Sequence, residues 1–447
     1  MLLKIVRKMI NIAKSLKLLG APFLIGFVQG HAYLSEEQAG VVKRIAETGD
    51  NRDPEDIVSQ YEAAITSVIG KGYGLSFASG RMAFFSLLKV LKIGPGDEVI
   101  LQGFTCSVMP NAILRSGAKP VYCDIDKDTF GPAAADIESK ITSRTRLIVA
   151  QHSFGIPCAI EHIIDIAKKH GIFVLEDCAI TFDSAVKGIK VGNFGDAAIF
   201  STDHTKPLNT LIGGLLYTTN QALYEKVRFY SAALPQLDKP HQKRLYQQFL
   251  FERKYYQPIK FKQANFLNYL NLIKKLGYAY KPNFVFLGDD YGRESSRSYP
   301  YPAKMSPMFA QLGIFELARW DKERARRKAL LSEYLRLADN TKIKEYLPKA
   351  YFDQSLDIVP LRFAMSLPEA DTMLEKMKKE HIEVAGRWFL DPIICCPAGV
   401  ENLGYNKGVC AIAEATGRHM VNWPCVLPAG WDERILKIYK KILETYI

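Results

Sequence analysis

The stretch Phe200-Ser201-Thr-Asp-His-Thr-Lys206 decides how the rest of the chain is interpreted, because Val174-Leu-Glu-Asp177 places a carboxylate at a predicted strand end 29 residues before Lys206. A third stretch, Phe77-Ala-Ser79-Gly80-Arg81-Met82, predicts a strand end, a tight turn and a helix start. Each pattern alone is weak, since a lone lysine in a loop is usually a solvated charge. Their order and their position at strand ends predict one shared site.

These three stretches supply the groups that pyridoxal phosphate (PLP) needs. A carboxylate keeps the pyridine nitrogen protonated, so that the ring accepts electrons, and an amine holds the aldehyde as a Schiff base. Exposed backbone N–H groups at a helix N-terminus suit a phosphate. The sequence therefore predicts a PLP site that contains Asp177, Lys206 and the turn at Ser79 and Gly80.

Length, composition and charge indicate a globular protein with small acidic ligands. The 447 residues are enough for at least two domains, and 48% hydrophobic with 24% charged residues is an ordinary soluble composition. The net charge of +12 favours nucleotides, phosphorylated sugars or an anionic membrane surface as partners. We find no nucleic-acid recognition module or basic-aromatic repeat in the sequence, so we expect small-molecule substrates and no nucleic acid.

The eight cysteines show no C-x-x-C pair and no metal-ligand spacing. Several of them, such as Cys123 and Cys178, lie in apolar runs, where a reduced, buried thiol is the simplest interpretation. We therefore expect no metal and a reducing, cytoplasmic setting.

Residues 1–28 differ from the rest of the chain. Apolar residues recur there at helical spacing with lysines and an arginine between them, which predicts a cationic amphipathic helix. The apolar stretch Leu18–Val28 is too short and too broken by glycine and proline to cross a bilayer. We expect peripheral contact with the inner face of the membrane. The alternative is that the same apolar stripe packs on the body of the protein or on a dimer partner.

Strand and helix patterns alternate from residue 74 to residue 176, which predicts βαβ units and a mostly parallel sheet. A further strand ends at Ser201, and Ile212–Thr219 is its expected antiparallel return. The predicted strand ends carry Ser79, Phe104, His152, Asp177 and Ser201, and we expect them to line one crevice.

The carboxyl-terminal third predicts a long helix and a second αβ unit. The long helix is expected over Met308–Ala338. After it we expect a strand near 358–364, a helix over 368–380, a strand over 382–385 and a closing helix from Glu433.

Several ordered motifs carry a family resemblance. They include Ala78-Ser79-Gly80, Ile93-Gly-Pro-Gly-Asp-Glu-Val-Ile100, Ile172-Phe-Val-Leu-Glu-Asp177, Lys187-Gly-Ile-Lys-Val-Gly192, Gly213-Gly214 and Asn422-Trp-Pro424. With Lys206 five residues after Ser201, the chain resembles the PLP-dependent sugar aminotransferases of the DegT/DnrJ/EryC1/StrS type. The resemblance runs from about Asp53 to Arg228 and again from about Met305 to the end.

The resemblance implies PLP-dependent transferase fold type I, the aspartate-aminotransferase-like α/β fold. Its large domain has a mostly parallel seven-stranded sheet, and a smaller αβ domain follows at the carboxyl end. We expect an amino-terminal extension at 1–35, the large domain at 36–228, a basic aromatic insertion at 229–304 and the long helix with the small domain at 305–447. The resemblance also implies a homodimer.

The resemblance assigns roles to particular residues. Lys206 would be the Schiff-base lysine and the proton carrier, and Asp177 would pair with the pyridinium. Ser201 and the turn Gly80-Arg81-Met82 would hold the phosphate. The other cofactor-binding positions that it implies are Cys106, Ala179 and Ile180.

Four positions depart from the family pattern. Cys106 stands where the family has a ring-stacking aromatic, Ile180 where it has glutamine, Phe182 where it often has histidine or another polar residue, and Ile212 where it has an acidic residue before the paired glycines. One interpretation is a different, more apolar substrate. The other is a loss of catalysis.

The resemblance implies transfer of an amino group, from glutamate, to the keto group of a nucleotide-linked sugar, in cell-surface polysaccharide or secondary-metabolite biosynthesis. One alternative is other PLP chemistry, such as dehydration of a keto-sugar. Relatives that do this replace the lysine with histidine, so Lys206 argues against it, although His204 is nearby. A second alternative is a non-catalytic PLP-fold scaffold at the membrane.

Overall fold

The computed structural model describes residues 19–26, 36–48, 54–237, 239–263, 300–383, 388–396 and 399–446. A seven-stranded sheet lies at the centre of this part of the chain, and smaller two- and three-stranded sheets surround it. The strands are β1 (Ile25–Gly26), β2 (Tyr73–Phe77), β3 (Glu98–Gln102), β4 (Thr105–Cys106), β5 (Lys119–Cys123), β6 (Thr145–Gln151), β7 (Phe173–Asp177), β8 (Ala185–Val186), β9 (Ile189–Lys190), β10 (Ala197–Ser201), β11 (Gly214–Thr218), β12 (Leu356–Asp357), β13 (Arg362–Ser366), β14 (Ile382–Glu383), β15 (Ile393–Ile394) and β16 (Met420–Pro424).

Helices cover the sheet and build most of the carboxyl-terminal third. The α-helices are α1 (Glu36–Thr48), α2 (Pro54–Ile69), α3 (Gly80–Val90), α4 (Val108–Ser116), α5 (Ala134–Ser139), α6 (Ile160–His170), α7 (Gln221–Ala232), α8 (Lys239–Tyr255), α9 (Pro307–Ala318), α10 (Trp320–Ala338), α11 (Ala370–Lys379), α12 (Ala411–His419) and α13 (Asp432–Leu443).

The central sheet has the strand order β2-β11-β10-β7-β6-β3-β5. Only β11 runs antiparallel to its neighbours in this sheet, where Gly214 pairs with Ser201 of β10 and with Phe77 of β2. All other neighbouring strands pair in parallel. The predicted α/β class, with a mostly parallel seven-stranded sheet and an antiparallel return after Ser201, is confirmed.

Alternate residues of the central strands pack on opposite faces of the sheet. Val99 and Leu101 of β3 belong to the main hydrophobic core, while Ile100 lies in a second core with Ile148 and Val174. Helix α6 covers this second core. A strand with one face in solvent alternates apolar and polar residues. These strands are buried on both faces, which explains why their sequences are continuous apolar runs.

The single long helix predicted over Met308–Ala338 is wrong, because the chain breaks at Arg319 into α9 and α10. Trp320 begins α10 with only 2% of its surface exposed, and its indole N–H donates to Asp183 at 2.9 Å. Helix α9 packs against α1 and α2, whereas α10 packs against α13. The two helices therefore pack against different neighbours on either side of the break at Arg319.

The small αβ unit is built on the antiparallel pair β13 and β16. Strand β13 begins at Arg362, four residues later than the start predicted near 358. Pro360 has no N–H to give to a ladder, so it excludes the earlier start. The predicted helix over 368–380, the strand from 382 and the closing helix correspond to α11, β14 and α13.

The segment 19–26 is part of the protein core. Phe23, Leu24 and Ile25 are at most 4% exposed, and β1 pairs in parallel with β14. The Phe23 ring meets Trp431 edge-on at 5.2 Å, and the Leu24 N–H donates to the Pro258 carbonyl at 2.8 Å.

The predicted membrane-binding segment 1–28 is therefore wrong over residues 21–26, because they pack against the protein itself. The amphipathic helix predicted for residues 1–18 lies outside the described residues. None of the described helices combines the length and the apolar character that a crossing of the bilayer requires.

Strand β7 ends in two acidic residues, Glu176 and Asp177, whose side chains lie on opposite faces of the sheet. The Glu176 side chain is fully buried, and its two oxygens accept the N–H groups of Gly192, Phe194 and Gly195, each at 2.7 Å. It also accepts the Nε2–H of His152 at 3.1 Å, since the Nδ1 of His152 accepts a backbone N–H. Glu176 thereby fixes the loop that leads into β10.

We expect Glu176→Gln to lower the free energy of unfolding by about 3 kcal/mol, because an amide cannot accept all of these buried N–H groups and leaves some without a partner. The measurement is urea unfolding followed by fluorescence. The control is Glu161→Gln, which removes an exposed ion pair with Lys187 and should cost less than about 1 kcal/mol. Equal losses in the two variants would contradict the role of Glu176.

Candidate cofactor site

A cavity of about 390 Å³ opens at the carboxyl ends of β2, β6, β7 and β10. Parallel strands bring their carboxyl ends to one edge of a sheet, which is why residues far apart in sequence meet there. Eight of the nine predicted site residues line this cavity: Gly80, Arg81, Cys106, Asp177, Ala179, Ile180, Ser201 and Lys206.

The ninth predicted residue, Met82, is not in the cavity wall. Its side chain is fully buried in the main core beneath α3, and its backbone N–H donates to the Ser79 carbonyl at 3.1 Å. The third residue of this helical turn faces the sheet instead of the strand ends, so the structure does not support Met82 as a contact of a cofactor.

Asp177 lies at the floor of the cavity with 3% of its surface exposed. Its Oδ1 accepts the Ala179 N–H at 2.9 Å, and its carbonyl accepts the His152 N–H at 3.0 Å. Burial raises the pKa of the Asp177 carboxyl, although the Ala179 N–H and the charge of Lys206 act in the opposite direction. A cation placed in the cavity would therefore stabilise the ionised carboxylate.

Lys206 stands in a short loop that β10 and β11 hold from both sides. Its N–H donates to the Asp203 carbonyl at 2.9 Å, and Thr202 and Thr210 close the base of the loop through a 2.6 Å hydroxyl contact. Burial alone would raise the pKa of Asp203, but the charges of His204 and Lys206 bring it below its ordinary value. The Lys206 Nζ lies 5.7 Å from the centre of the Trp388 ring, on the cavity side.

The turn before α3 leaves an unsatisfied polar group in the protein interior. Ser79 caps α3 without a side-chain hydrogen bond, and within the described residues its buried Oγ has no partner. A Cβ on Gly80 would lie 3.2 Å from the Phe200 carbonyl oxygen, and a Cβ on Gly214 would lie 2.1 Å from the Gly80 nitrogen. Glycine at both positions lets the helix start approach the strand ends closely. This geometry suits an anion at the N-terminus of α3.

The opposite wall of the cavity is apolar. Trp388 and Phe389 lie with their rings nearly parallel, 5.8 Å apart, and Ile180 and Ile394 add aliphatic surface. Two of the four departures from the family pattern lie outside this wall. Phe182 packs against Phe200 and Trp320, and Ile212 is buried in the main core.

Sequence reasoning missed several lining residues because they come from distant segments. Tyr256, which follows α8 in the predicted insertion, reaches the cavity with 8% of its surface exposed. The pairing of β15 with β4 brings Trp388, Phe389 and Cys395 into the wall of the cavity. The sequence shows that the insertion is rich in aromatic residues. No local sequence pattern predicts which of these residues lines the cavity.

A buried group beside the cavity, His152, Glu176 and Cys178, has the residue types of a metal site. Backbone N–H groups already bind both Glu176 oxygens and the Nδ1 of His152. Their positions are therefore explained by the support they give to the loop before β10.

The residues present fit PLP. The unsatisfied Ser79 hydroxyl, Ser201 and the start of α3 suit its phosphate, and the buried Asp177 carboxyl suits a protonated ring nitrogen. Lys206 is the lysine that shares this cavity among the described residues.

Comparison with known proteins agrees with this geometry. The model of the DegT/DnrJ/EryC1/StrS aminotransferase family matches residues 32–250. Over this stretch, just under half of the chain, the sequence is similar to members of that family. The match covers the turn at Ser79, the strand end at Asp177 and the loop of Lys206, but not Trp388 and the rest of the small αβ unit.

Two relatives from this family act on nucleotide-linked sugars by name. GDP-perosamine synthase of Escherichia coli O157:H7 is 40% identical over 154 residues, which is 34% of this chain and 42% of that protein. UDP-N-acetyl-3-dehydro-alpha-D-glucosamine 3-aminotransferase of Acidithiobacillus ferrooxidans is 39% identical over 168 residues, 37% of this chain and 46% of that protein. The chain thus matches less than half the length of these curated relatives.

Solved structures extend the likeness of the fold to nearly the whole chain. DesI, crystallised with its TDP-sugar product, superposes with a TM-score of 0.67 at 19% identity and covers 96% of each chain. The predicted fold type I architecture is confirmed, including the parts of the chain that the family model does not match.

Proposed function

We propose that this protein is a PLP-dependent aminotransferase that moves an amino group from glutamate to the keto group of a nucleotide-linked sugar. The observation that carries the proposal is the meeting of Lys206, Asp177 and the start of α3 around one cavity. The names of the related nucleotide-sugar enzymes support the substrate class, and they favour polysaccharide or secondary-metabolite biosynthesis as the setting.

When bound, PLP supplies an electron sink next to the donor's α-carbon. In the proposed reaction the Lys206 Nζ takes the proton from that carbon and returns a proton at the acceptor stage. The Asp177 carboxylate holds a proton on the ring nitrogen, and Ser79, Ser201 and the N–H groups at the start of α3 fix the phosphate. Trp388, Phe389 and Tyr256 exclude water from the reacting atoms.

The apolar wall supports an acceptor with apolar surface. Ile180 replaces a hydrogen-bonding amide with an aliphatic side chain directly beside Ala179 and the Asp177 carboxylate, and Trp388 and Phe389 extend the same surface. Of the two interpretations of the departures, we favour a changed acceptor over lost catalysis, because Lys206 and Asp177 keep positions that suit chemistry.

We expect purified protein with PLP to show a visible absorption band that glutamate bleaches. Lys206→Ala should abolish the bleaching, because the amine that carries the proton is lost. Asp177→Asn should bind PLP but slow the bleaching about 10²- to 10³-fold, because a neutral amide does not hold the ring nitrogen protonated. The measurement is a stopped-flow spectrum, followed by borohydride reduction and peptide mapping of the labelled lysine.

The matched controls are Lys349→Ala and Asp128→Asn, which make the same changes in an exposed ion pair of 3.0 Å outside the cavity. Both should bleach like the parent protein. A label on a lysine other than Lys206 would refute the site. Tight PLP binding without any bleaching would instead favour the non-catalytic scaffold, and release of water from a keto-sugar without amino transfer would favour dehydration.

We also propose that the protein is a homodimer. The family resemblance supports this, and we place the contact between subunits at Phe229 on α7, which has 85% of its surface exposed. The predicted division of the chain into domains at residues 35, 228 and 304 stays a prediction. The predicted insertion contributes Tyr256 to the wall of the cavity.

We expect sedimentation velocity to give a dimer at micromolar concentration, and Phe229→Glu to shift it towards monomer because a charge replaces an apolar contact. Phe352→Glu, at a site with 44% exposure outside α7, is the control and should leave the dimer unchanged. A monomeric parent protein would rule the proposal out.

We propose a cytoplasmic protein whose first 18 residues contact anionic lipid. Their charge pattern supports this, and the burial of Phe23, Leu24 and Ile25 sets the limit of the lipid-binding segment at about residue 19.

We expect the full chain to float with phosphatidylserine vesicles at low salt, and a chain that starts at Leu19 to remain at the bottom of the gradient. Replacement of Lys4, Arg7 and Lys8 by glutamate should also abolish flotation, because the electrostatic attraction reverses. Equal flotation of the full and shortened chains would place the membrane contact elsewhere or show that there is none.

A further inference from the structure

Two cysteines meet at the mouth of the cavity, and neither the proposed reaction nor the family resemblance gives them a joint role. Strand β4 ends at Cys106, which pairs in parallel with Ile394 of β15, so that Cys395 is the next residue along the neighbouring strand. Cys106 is half-buried and Cys395 is exposed, and both line the cavity. The Cys395 side chain lies close enough to the Cys106 sulfur to lower the pKa of Cys106.

The backbone geometry suits a bond between these two sulfurs. Neighbouring strands lie about 4.8 Å apart with a rise of about 3.3 Å per residue, so a neighbour displaced by one residue lies about 6 Å away. A disulfide joins Cα atoms that are about 4.4–6.8 Å apart.

A side chain that follows Ile394 in a regular strand would point away from Cys106, because successive side chains alternate. Cys395 instead has a φ of 60°, in the left-handed region, which ends the strand and turns its side chain back towards Cys106. Ser107 holds this conformation, since its N–H donates to the Ile394 carbonyl at 3.0 Å and its Oγ donates to the Cys395 carbonyl at 2.7 Å. A strained backbone that is held in place by hydrogen bonds indicates a function for the side chain it directs.

The surroundings of Cys106 favour its thiolate. The Cys395 side chain, the Val108 N–H at the start of α4 and the charges of Lys206 and Arg81 together lower the pKa of Cys106 to about 6, against the opposing effect of burial. The other titratable groups that face this cavity are Asp177, Asp203, His204 and Tyr256. A thiolate at a helix start beside cations is the reactive form of cysteine.

Four buried cysteines elsewhere in the described residues have the opposite character. Burial raises the pKa of both Cys178 and Cys410 to about 12, and it raises the pKa of Cys123 and Cys425 as well. An oxidant therefore meets one activated sulfur with a second sulfur in contact with it.

We propose that Cys106 and Cys395 are a reversible redox pair, which a hydroperoxide converts into a disulfide between β4 and β15 at the mouth of the cavity. The Cys106 thiolate attacks one peroxide oxygen, the O–O bond breaks, and the leaving oxygen takes a proton to become water or an alcohol. The Cys395 sulfur then attacks the Cys106 sulfur, the S–S bond forms, and the departing hydroxide takes the Cys395 proton as water. Two electrons pass from the two sulfurs to the peroxide, and a dithiol reverses the change.

The disulfide would tether the loop that carries Trp388 and Phe389 to the strand that carries Cys106. The aromatic wall of the cavity belongs to this loop, so oxidation would tie the wall to β4 and limit its movement at the mouth of the cavity. In a reducing compartment such a bond is transient, as expected of a sensor. This inference does not depend on the identity of the sugar or on catalysis.

The test exposes the reduced full chain to hydrogen peroxide, blocks the remaining thiols and maps the peptides by mass spectrometry. We expect a Cys106–Cys395 linked peptide that dithiothreitol reverses. Cys395→Ser should give no linked peptide and should leave a sulfenic acid on Cys106 that dimedone traps. Cys396→Ser, which changes the neighbouring thiol, is the matched control and should form the link like the parent protein.

Alkylation of Cys106 gives a second, independent measurement. Thiolate accumulates as the pH rises through the pKa, so the rate should rise through a midpoint near pH 6 in the parent protein. In Cys395→Ala, which removes the donor that serine would keep, the midpoint should move up towards about 8.5, because the largest stabilising contact is lost. A link to Cys396, no link between Cys106 and Cys395, or a parent midpoint near about 8.5 would overturn the proposal.

Discussion

The two acidic residues at the end of β7 connect the packing of the sheet to the chemistry of the cavity. Glu176 faces one side, where it accepts three backbone N–H groups and a histidine N–H, and thereby fixes the loop before β10. Asp177 faces the cavity. Because successive residues of a strand point to opposite faces, one strand end both anchors the loop before β10 and places a carboxylate in the cavity that Lys206 also lines.

The glycines near the strand ends determine how closely the start of α3 approaches the central sheet. Gly214 on the single antiparallel strand lets the start of α3 pack directly against β11, since a Cβ there would collide with the Gly80 nitrogen. The unsatisfied Ser79 hydroxyl then remains at a helix N-terminus beside Ser201. An interior polar group without a partner is costly, and a bound phosphate would satisfy it.

The departures from the family pattern divide into two groups once the structure is considered. Phe182 and Ile212 belong to the core, where they exchange a polar side chain for packing. Ile180 and Cys106 line the cavity, so their changes alter what the cavity contacts. Cys106 also places a sulfur with a lowered pKa where an aromatic ring is usual in the family, and Cys395 follows the residue that pairs with it on the neighbouring strand.

The sequence by itself determined the alternation of the main strands and helices from residue 74, the antiparallel return after Ser201, the strand-end position of Asp177 and the position of Lys206 in the loop after a strand. These follow from local signals: apolar runs, glycine turns and polar residues just past strand ends. Only the tertiary structure decided that Met82 faces the core, that the helix breaks at Arg319 and that residues 21–26 pack against the small αβ unit and the insertion. Tyr256, Trp388 and Cys395 likewise enter the cavity through pairings between segments that lie far apart in the sequence. Such pairings depend on which buried surfaces fit together, and periodicity within a segment carries no information about that fit.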